Sequence, residues 1–250
     1  MTTNYYNTLI SITGNLFSGK YCTLNDIQCG NDSTLKEALK FLLLCYEELM
    51  EISVDYRRRS KPLIVALKNW IRHHKLVVNP NFASIENDFS YSTMKIQSGF
   101  LVLLEMIVLI EGIDLPQYIR DNTLLGTVIH AAGTVASWTE DLVNIRKDVE
   151  KDIPAHMNAV TWKVDMDDQE LSRAFYYLTQ CQQAHAMDYQ QFKHMLQIWF
   201  HQDQVVDHFV KLLDCFVDGL LIMWLRRREG FTVANFKIKD VFVCKSGDEE

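Results

Sequence analysis

Proline and glycine are scarce, four and ten in 250 residues, so the chain has few obligatory breaks and favours helices over short strands and turns. None of the six cysteines (Cys22, Cys29, Cys45, Cys181, Cys215, Cys244) stands in a CxxC spacing. That pattern argues against a thiolate zinc knuckle or a disulfide scaffold and fits buried free thiols in a reducing compartment. Basic residues are the minority, 25 Lys and Arg against 32 Asp and Glu, for a net charge of −7. A general binder of nucleic acid or acidic membranes needs a basic surface, so neither partner is expected and any anion site must be local. The apolar run from Phe100 to Ile110 is interrupted by Glu105 and is too short to span a bilayer, so no membrane insertion is expected. The start, Met1-Thr2-Thr3-Asn4, lacks the basic and apolar regions of a signal peptide, which makes a cytoplasmic location the default.

What is present is an ordinary globular composition, 48% hydrophobic and 23% charged, with material for one domain and a large core. Residues 1–33 are the least committed, 34–231 read as a helical domain, and 232–250 as a tail. Apolar residues at three- and four-residue steps predict a helix over about 33–58. Further helices are predicted from Pro62 to about Leu76, from near Phe89 through residue 110, and from about Gln117. Others follow over Leu124–Lys151, Leu171–Cys181 and Val205–Arg228. Phe236–Val243 has the pattern of an extended piece.

The most informative stretch is Ala136–Asp148. If it is helical, Glu140, Asn144 and Asp148 fall at i, i+4 and i+8, on one face with neighbours ~6 Å apart. Oxygen ligands so arranged suit a hard cation such as Mg²⁺ whose other positions are filled by water and phosphate. Taken alone, the three residues are more simply a solvated stripe on an amphipathic helix.

Neighbouring residues add a more specific pattern. Glu140-Asp141-Leu142-x-Asn144-x-x-Lys147-Asp148 resembles the second metal motif of class I terpene synthases, Asn-Asp-(Leu/Ile/Val)-x-Ser-x-x-Lys-(Glu/Asp). Asp141, Leu142, Lys147 and Asp148 match it, whereas Glu140 and Asn144 replace Asn and Ser. Ile110–Pro116 resembles the family's helix break ahead of that motif, and His156–Thr161 its His-Asn-x-Val-Thr. Forty-five residues before Glu140, where the family has Arg-x-x-Asp-Gly, stand Lys95, Ser98 and Gly99.

The resemblance implies an all-α, single-domain antiparallel bundle, the class I terpene synthase α-fold shortened at its N-terminus. It implies an isoprenoid or terpenoid ligand and carbocation-type chemistry. Glu140, Asn144 and Asp148 would hold one Mg²⁺, and these three with Gly99 would form the catalytic group. Lys95, Ser98, Lys147 and Arg228 would meet the substrate's polar end; Phe100, Trp138, Phe216 and Trp224 would line an apolar pocket.

The departures all weaken diphosphate ionisation. No Asp-Asp-x-x-Asp occurs; Glu47-Glu48-Leu49-Met50-Glu51 has its spacing but the wrong position, and reads as a helix surface. Lysine at position 95 keeps the charge but loses the planar two-pronged donor of arginine. Gly230-Phe231 stands where the family has an Arg-Tyr pair. A catalytically inactive binding or partner subunit, or a truncated ordinary cyclase, therefore stands beside the enzyme reading, and a homodimer or partner protein could cover an exposed apolar face. Two other groups are read as structural. Asp165–Asp168 with Glu170 reads as a capping cluster, and His194, His201 and His208, ~10 Å apart along a helix, as a polar or partly buried seam too widely spaced for one zinc.

Overall fold

The computed structural model describes residues 60–77, 88–151, 157–168 and 170–226, with Asn15 and Leu44 as isolated positions. Its helices are α1 (Lys61–Val77), α2 (Asp88–Lys95), α3 (Leu101–Ile110), α4 (Gln117–Arg120), α5 (Thr123–Glu150), α6 (Ala159–Asp167), α7 (Leu171–Trp199) and α8 (Gln204–Arg226). No strand occurs among the described residues, as the composition predicts. The helix expected over 33–58, the acidic cluster at 47–51, Arg228 and the extended piece at 236–243 lie outside them.

Local chemistry sets the boundaries. Pro62 sits in the first turn of α1, where its missing N–H costs nothing. Gly112, at φ 67°, takes the left-handed conformation that closes α3, and Ile113 N–H donates back to Val108 O at 3.0 Å. The Asn122 side chain accepts from Leu124 N (2.9 Å) and Leu125 N (3.4 Å) to open α5, and Asp203 does the same for α8 through Val205 N (3.0 Å) and Val206 N (3.2 Å).

Three sequence expectations need correction. The helix expected to run from Leu171 to Cys181 continues to Trp199, because nothing between them breaks the pattern. Asp165 and Asp167 lie within α6, and Asp168 ends it at φ 50°, while Glu170 opens α7 with no side-chain cap bond. The acidic cluster therefore closes one helix and leaves the next uncapped by side chains. His194 lies on α7, His201 in the turn after it and His208 on α8, all three exposed, because the chain turns at Phe200–Asp203.

Helix α5 is the centre of the bundle. Every residue from Ala131 to Thr139 is buried, which makes this stretch a helix covered on all sides rather than an amphipathic one. It is surrounded by α2, α6, α7 and α8. Two apolar clusters follow each other along it. The first joins Val128, Ala132 and Val135 of α5 to Phe100, Leu104 and Val108, and to Phe209, Leu213 and Phe216 of α8. The second joins Trp138, Leu142 and Ile145 to Tyr91 and Met94 of α2, Val160 and Trp162 of α6, and Leu178 of α7.

Between α2 and α3 the chain bends through a wide π-type turn, Ile96–Phe100, at the glycine the sequence singled out. Gly99 has an extended φ of 163°, and a Cβ there would meet nothing within 4 Å. The close approach is at Gly133 of α5, where a Cβ would lie 2.7 Å from Ile96 Cγ1 and 3.0 Å from Phe100 Cδ1. The absent side chain at 133 lets the bend seat against the central helix.

An open cavity of about 350 Å³ lies between α1, α3 and α4, lined by Lys61, Val65, Leu101, Glu105, Gln117 and Arg120 among others. None of Glu140, Asn144, Asp148 or Lys95 lines it. On the outside of α7, Met187, Ile198 and Trp199 are exposed apolar residues.

Gly133→Ala tests the close approach. Relief of the glycine helix penalty contributes about 1 kcal/mol, against about 1–3 kcal/mol for overpacking. Net destabilisation is expected, larger for Gly133→Val, read as a lower urea midpoint; an unchanged or higher midpoint for both variants would show that Ile96 moves aside freely.

Candidate functional site

The last three turns of α5, the end of α2 and the start of α6 converge on one carboxylate, Asp141, whose side chain is 3% exposed. Its Oδ1 receives Lys95 Nζ at 2.7 Å, and its Oδ2 receives the Tyr91 hydroxyl and the Ala159 N–H, each at 2.9 Å. Lys95 Nζ also donates to Met157 O at 3.1 Å. Asn158, fully buried, gives one amide N–H to Asp141 O (2.8 Å) and the other to Asp148 Oδ2 (2.9 Å), while its Oδ1 accepts from Val160 N (2.9 Å) to cap α6.

Electrostatics follow from that arrangement. Burial pulls the Lys95 ammonium down, but Asp141, its hydrogen bond, Glu140 and Asp148 outweigh it and hold the pKa above the usual value. Burial pushes the Asp141 carboxyl up, against the pull of Lys95, Ala159 N–H and Tyr91. Tyr91 is kept firmly protonated, first by burial and then by Asp141, which fixes its hydroxyl as a donor. Glu140, half-buried one residue before Asp141, is raised by burial, Asp141 and Asp148, with Lys95 and Lys147 opposing. Among the described residues no donor is hydrogen-bonded to the Glu140 carboxylate; its cationic neighbours act at a distance.

Of the residues singled out from sequence, Glu140, Asn144, Asp148 and Lys95 are brought together at this end of α5. Lys147 is exposed beside them. Gly99 and Phe100 lie in the bend below. Gly133, over which that bend sits, is seven residues before Glu140 and eleven before Asn144, which places all three on one face of α5. The Ser98 side chain lies outside the described residues. Phe100 stacks at a tilt on Phe216, ring centroids 5.2 Å apart, and Trp224 is partly buried against the same cluster.

Two expectations change. Trp138 does not join Phe100, Phe216 and Trp224: it is 1% exposed in the second cluster, edge-on to His185 of α7 with centroids 5.1 Å apart. Among the described residues its Nε1 hydrogen and the Oε1 of Gln182 on α7 are buried without hydrogen-bond partners. Lys95, expected to face a phosphate, has its ammonium on Asp141 and Met157 O.

Asp141, Tyr91 and Asn158 are the participants that sequence reasoning left out of the site. Asp141 and Asn158 both sit within the motifs that carry the family resemblance, so their signal was present; Tyr91 had none beyond its place one turn before Lys95.

The donor set can be compared with the needs of a hard divalent cation. No three His, Cys, Asp or Glu side chains among the described residues are grouped to hold a metal by themselves. Two carboxylates and a carboxamide on one helix face, with a half-buried carboxylate that lacks a hydrogen bond, fit a cation that completes its shell from water or a ligand. Glu140, Asn144 and Asp148 are the residues that would hold it.

This bundle is the terpene synthase α-fold. A solved structure with the same fold is a single-substitution variant of cucumene synthase, matched with a TM-score of 0.66 at 13% identity over 89% of this chain and 73% of that one. No protein-family model and no curated protein matches the sequence.

Two variants probe the site. Asp141→Ala strands the Lys95 charge in a buried position and is expected to cost about 3–5 kcal/mol in denaturant unfolding; a loss below 1 kcal/mol would mean that Lys95 reaches water. Glu140→Gln mimics the protonated acid. Because the folded pKa of Glu140 lies above its unfolded value, its stabilising share is complete below that unfolded value, about 4.3, and is lost as pH rises through the folded one. Glu140→Gln is therefore expected to melt higher than wild type at neutral pH, the gain vanishing on acidification, in melts from pH 4 to 8.

Proposed function

We propose that this chain is a terpene-synthase-fold enzyme that acts on an isoprenoid or terpenoid by carbocation-type chemistry, using a reduced metal site at Glu140, Asn144 and Asp148. The observation that carries the reading is the Glu140 carboxylate. It is half-buried beside Asp141 and Asp148, receives no hydrogen bond among the described residues, and faces the same side of α5 as Asn144. A half-buried carboxylate beside two other acids gains from a directly bound cation or a proton, which Lys95 and Lys147, acting at a distance, do not supply. The fold shared with cucumene synthase supports the substrate class.

A bound divalent cation would supply electrostatic stabilisation for a departing diphosphate. The chain's own residues do the rest. Lys95 and Lys147 lend positive potential to the acid row, Lys95 from a fixed position on Asp141. Phe100 at the end of the bend, with Phe216 and Trp224 of the same apolar cluster, would form an apolar wall that shapes a hydrocarbon and keeps water from a reactive cation. Gly99 lies at the bend between acid row and wall.

A second reading, a partner or binding subunit without catalysis, is favoured by one feature: the Lys95 ammonium is already spent on Asp141 and Met157 O. Calorimetric titration with Mg²⁺ and inorganic diphosphate, separately and together, decides between them. Cooperative binding that disappears in Glu140→Ala, Asp148→Ala protein is expected, followed by turnover of a prenyl diphosphate. No binding would sink the metal-dependent enzyme and leave the binding subunit, to be titrated with neutral terpenoids.

A further inference from the structure

Asp148 is the one proposed ligand whose carboxylate has a mapped hydrogen bond, and the donor is Asn158. The Asn158 side chain is 0% exposed and all of its polar capacity is in use. One N–H goes to the backbone oxygen of Asp141 (2.8 Å), the other to Asp148 Oδ2 (2.9 Å), and its oxygen caps α6 through Val160 N (2.9 Å). The first two bonds tie the start of α6 to points about two turns apart on α5, and the third closes the α6 cap itself. They also spend one oxygen of Asp148 and leave the other, which takes no hydrogen bond among the described residues, for a cation.

We propose that Asn158 is a positioning residue for the metal site: it sets the rotamer of Asp148 from a frame anchored on the α5 backbone, so that this carboxylate is in place before any cation arrives. The proposal rests on the reading of Glu140, Asn144 and Asp148 as a cation site. The chemistry selects asparagine. Aspartate would cap α6 but turn an acceptor on two acceptors, and glutamine would carry its amide one carbon too far for both bonds. The Lys95 bond to Met157 O (3.1 Å) and the Ala159 N–H bond to Asp141 Oδ2 (2.9 Å) hold the residues on either side, which keeps the amide from drifting with its loop. Outer partners of metal-bound carboxylates act in this way, and their loss lowers metal affinity by roughly 10–100-fold.

Asn158→Ser separates positioning from mere stability, because serine retains a capping oxygen but donates neither amide N–H. The control is Val160→Ala, which removes buried volume at the same helix start and touches no polar partner. In calorimetry with Mg²⁺ and inorganic diphosphate, Asn158→Ser is expected to weaken Mg²⁺ binding by roughly 10–100-fold, with Val160→Ala unchanged. Equal losses in the two variants, or none in Asn158→Ser, overturn the proposal. A metal-free measurement accompanies it: by NMR both Asn158 side-chain amide protons should exchange slowly, and Asp148→Ala should release one of them. Two freely exchanging protons in the wild type overturn the tether itself. Wild-type protein that binds no Mg²⁺ overturns the cation role together with the functional reading, whereas Mg²⁺ binding indifferent to Asn158→Ser overturns the positioning role alone.

Discussion

A carboxylate taken out of water is tolerated only when its lost hydration is replaced, and three donors from the bundle do this for Asp141. Lys95 comes from α2, Tyr91 from the turn before it, and the Ala159 N–H from the start of α6. Two helices, α2 and α6, are thus fixed to α5 by one side chain. The position of Glu140 and Asp148 depends on this arrangement, since both lie on the helix that Asp141 anchors. Replacing such a pair with apolar residues often leaves stability unchanged, whereas removing one partner alone strands a buried charge.

The same anchoring has an electrostatic side. Three acids, Glu140, Asp141 and Asp148, are influenced by one buried lysine. Asp141 takes the direct contact, whereas Glu140 feels the lysine only at a distance, against its own burial and the two neighbouring acids. That division distinguishes a structural acid from acids available to a ligand, although all three are written within nine residues of each other.

Much of the bundle was legible in the sequence because helix signals are local. Pro62, Asn122 and Asp203 mark starts by side-chain chemistry, Gly112 marks an end, and uninterrupted apolar periodicity gives α5 and α8. The acid row on α5 was equally legible, being a matter of spacing on one helix. What was not legible depends on other helices. Trp138 could not be assigned to one cluster or the other from its own periodicity, because the stretch is buried all round and every direction is apolar. The turn at Phe200 separates histidines whose seven-residue spacing suggests one helical side. Gly133 gave no local reason for its presence, since its role is to make room for Ile96, thirty-seven residues earlier in the chain. Lys95 read as a ligand for phosphate because its nearest acid, Asp141, is distant in sequence.

Because Gly133, Glu140 and Asn144 share a single unbroken helix, the interval between the seat of the bend and the first acid is set by helix rise alone, ~10 Å. Such a rod acts as a ruler. Ile96 and Phe100, packed where a Cβ on residue 133 would fall, are held at that interval from Glu140 by the helix itself. The distance from the acid row to the buried pair Phe100 and Phe216 is therefore a property of one helix and not of the loops that join it to its neighbours.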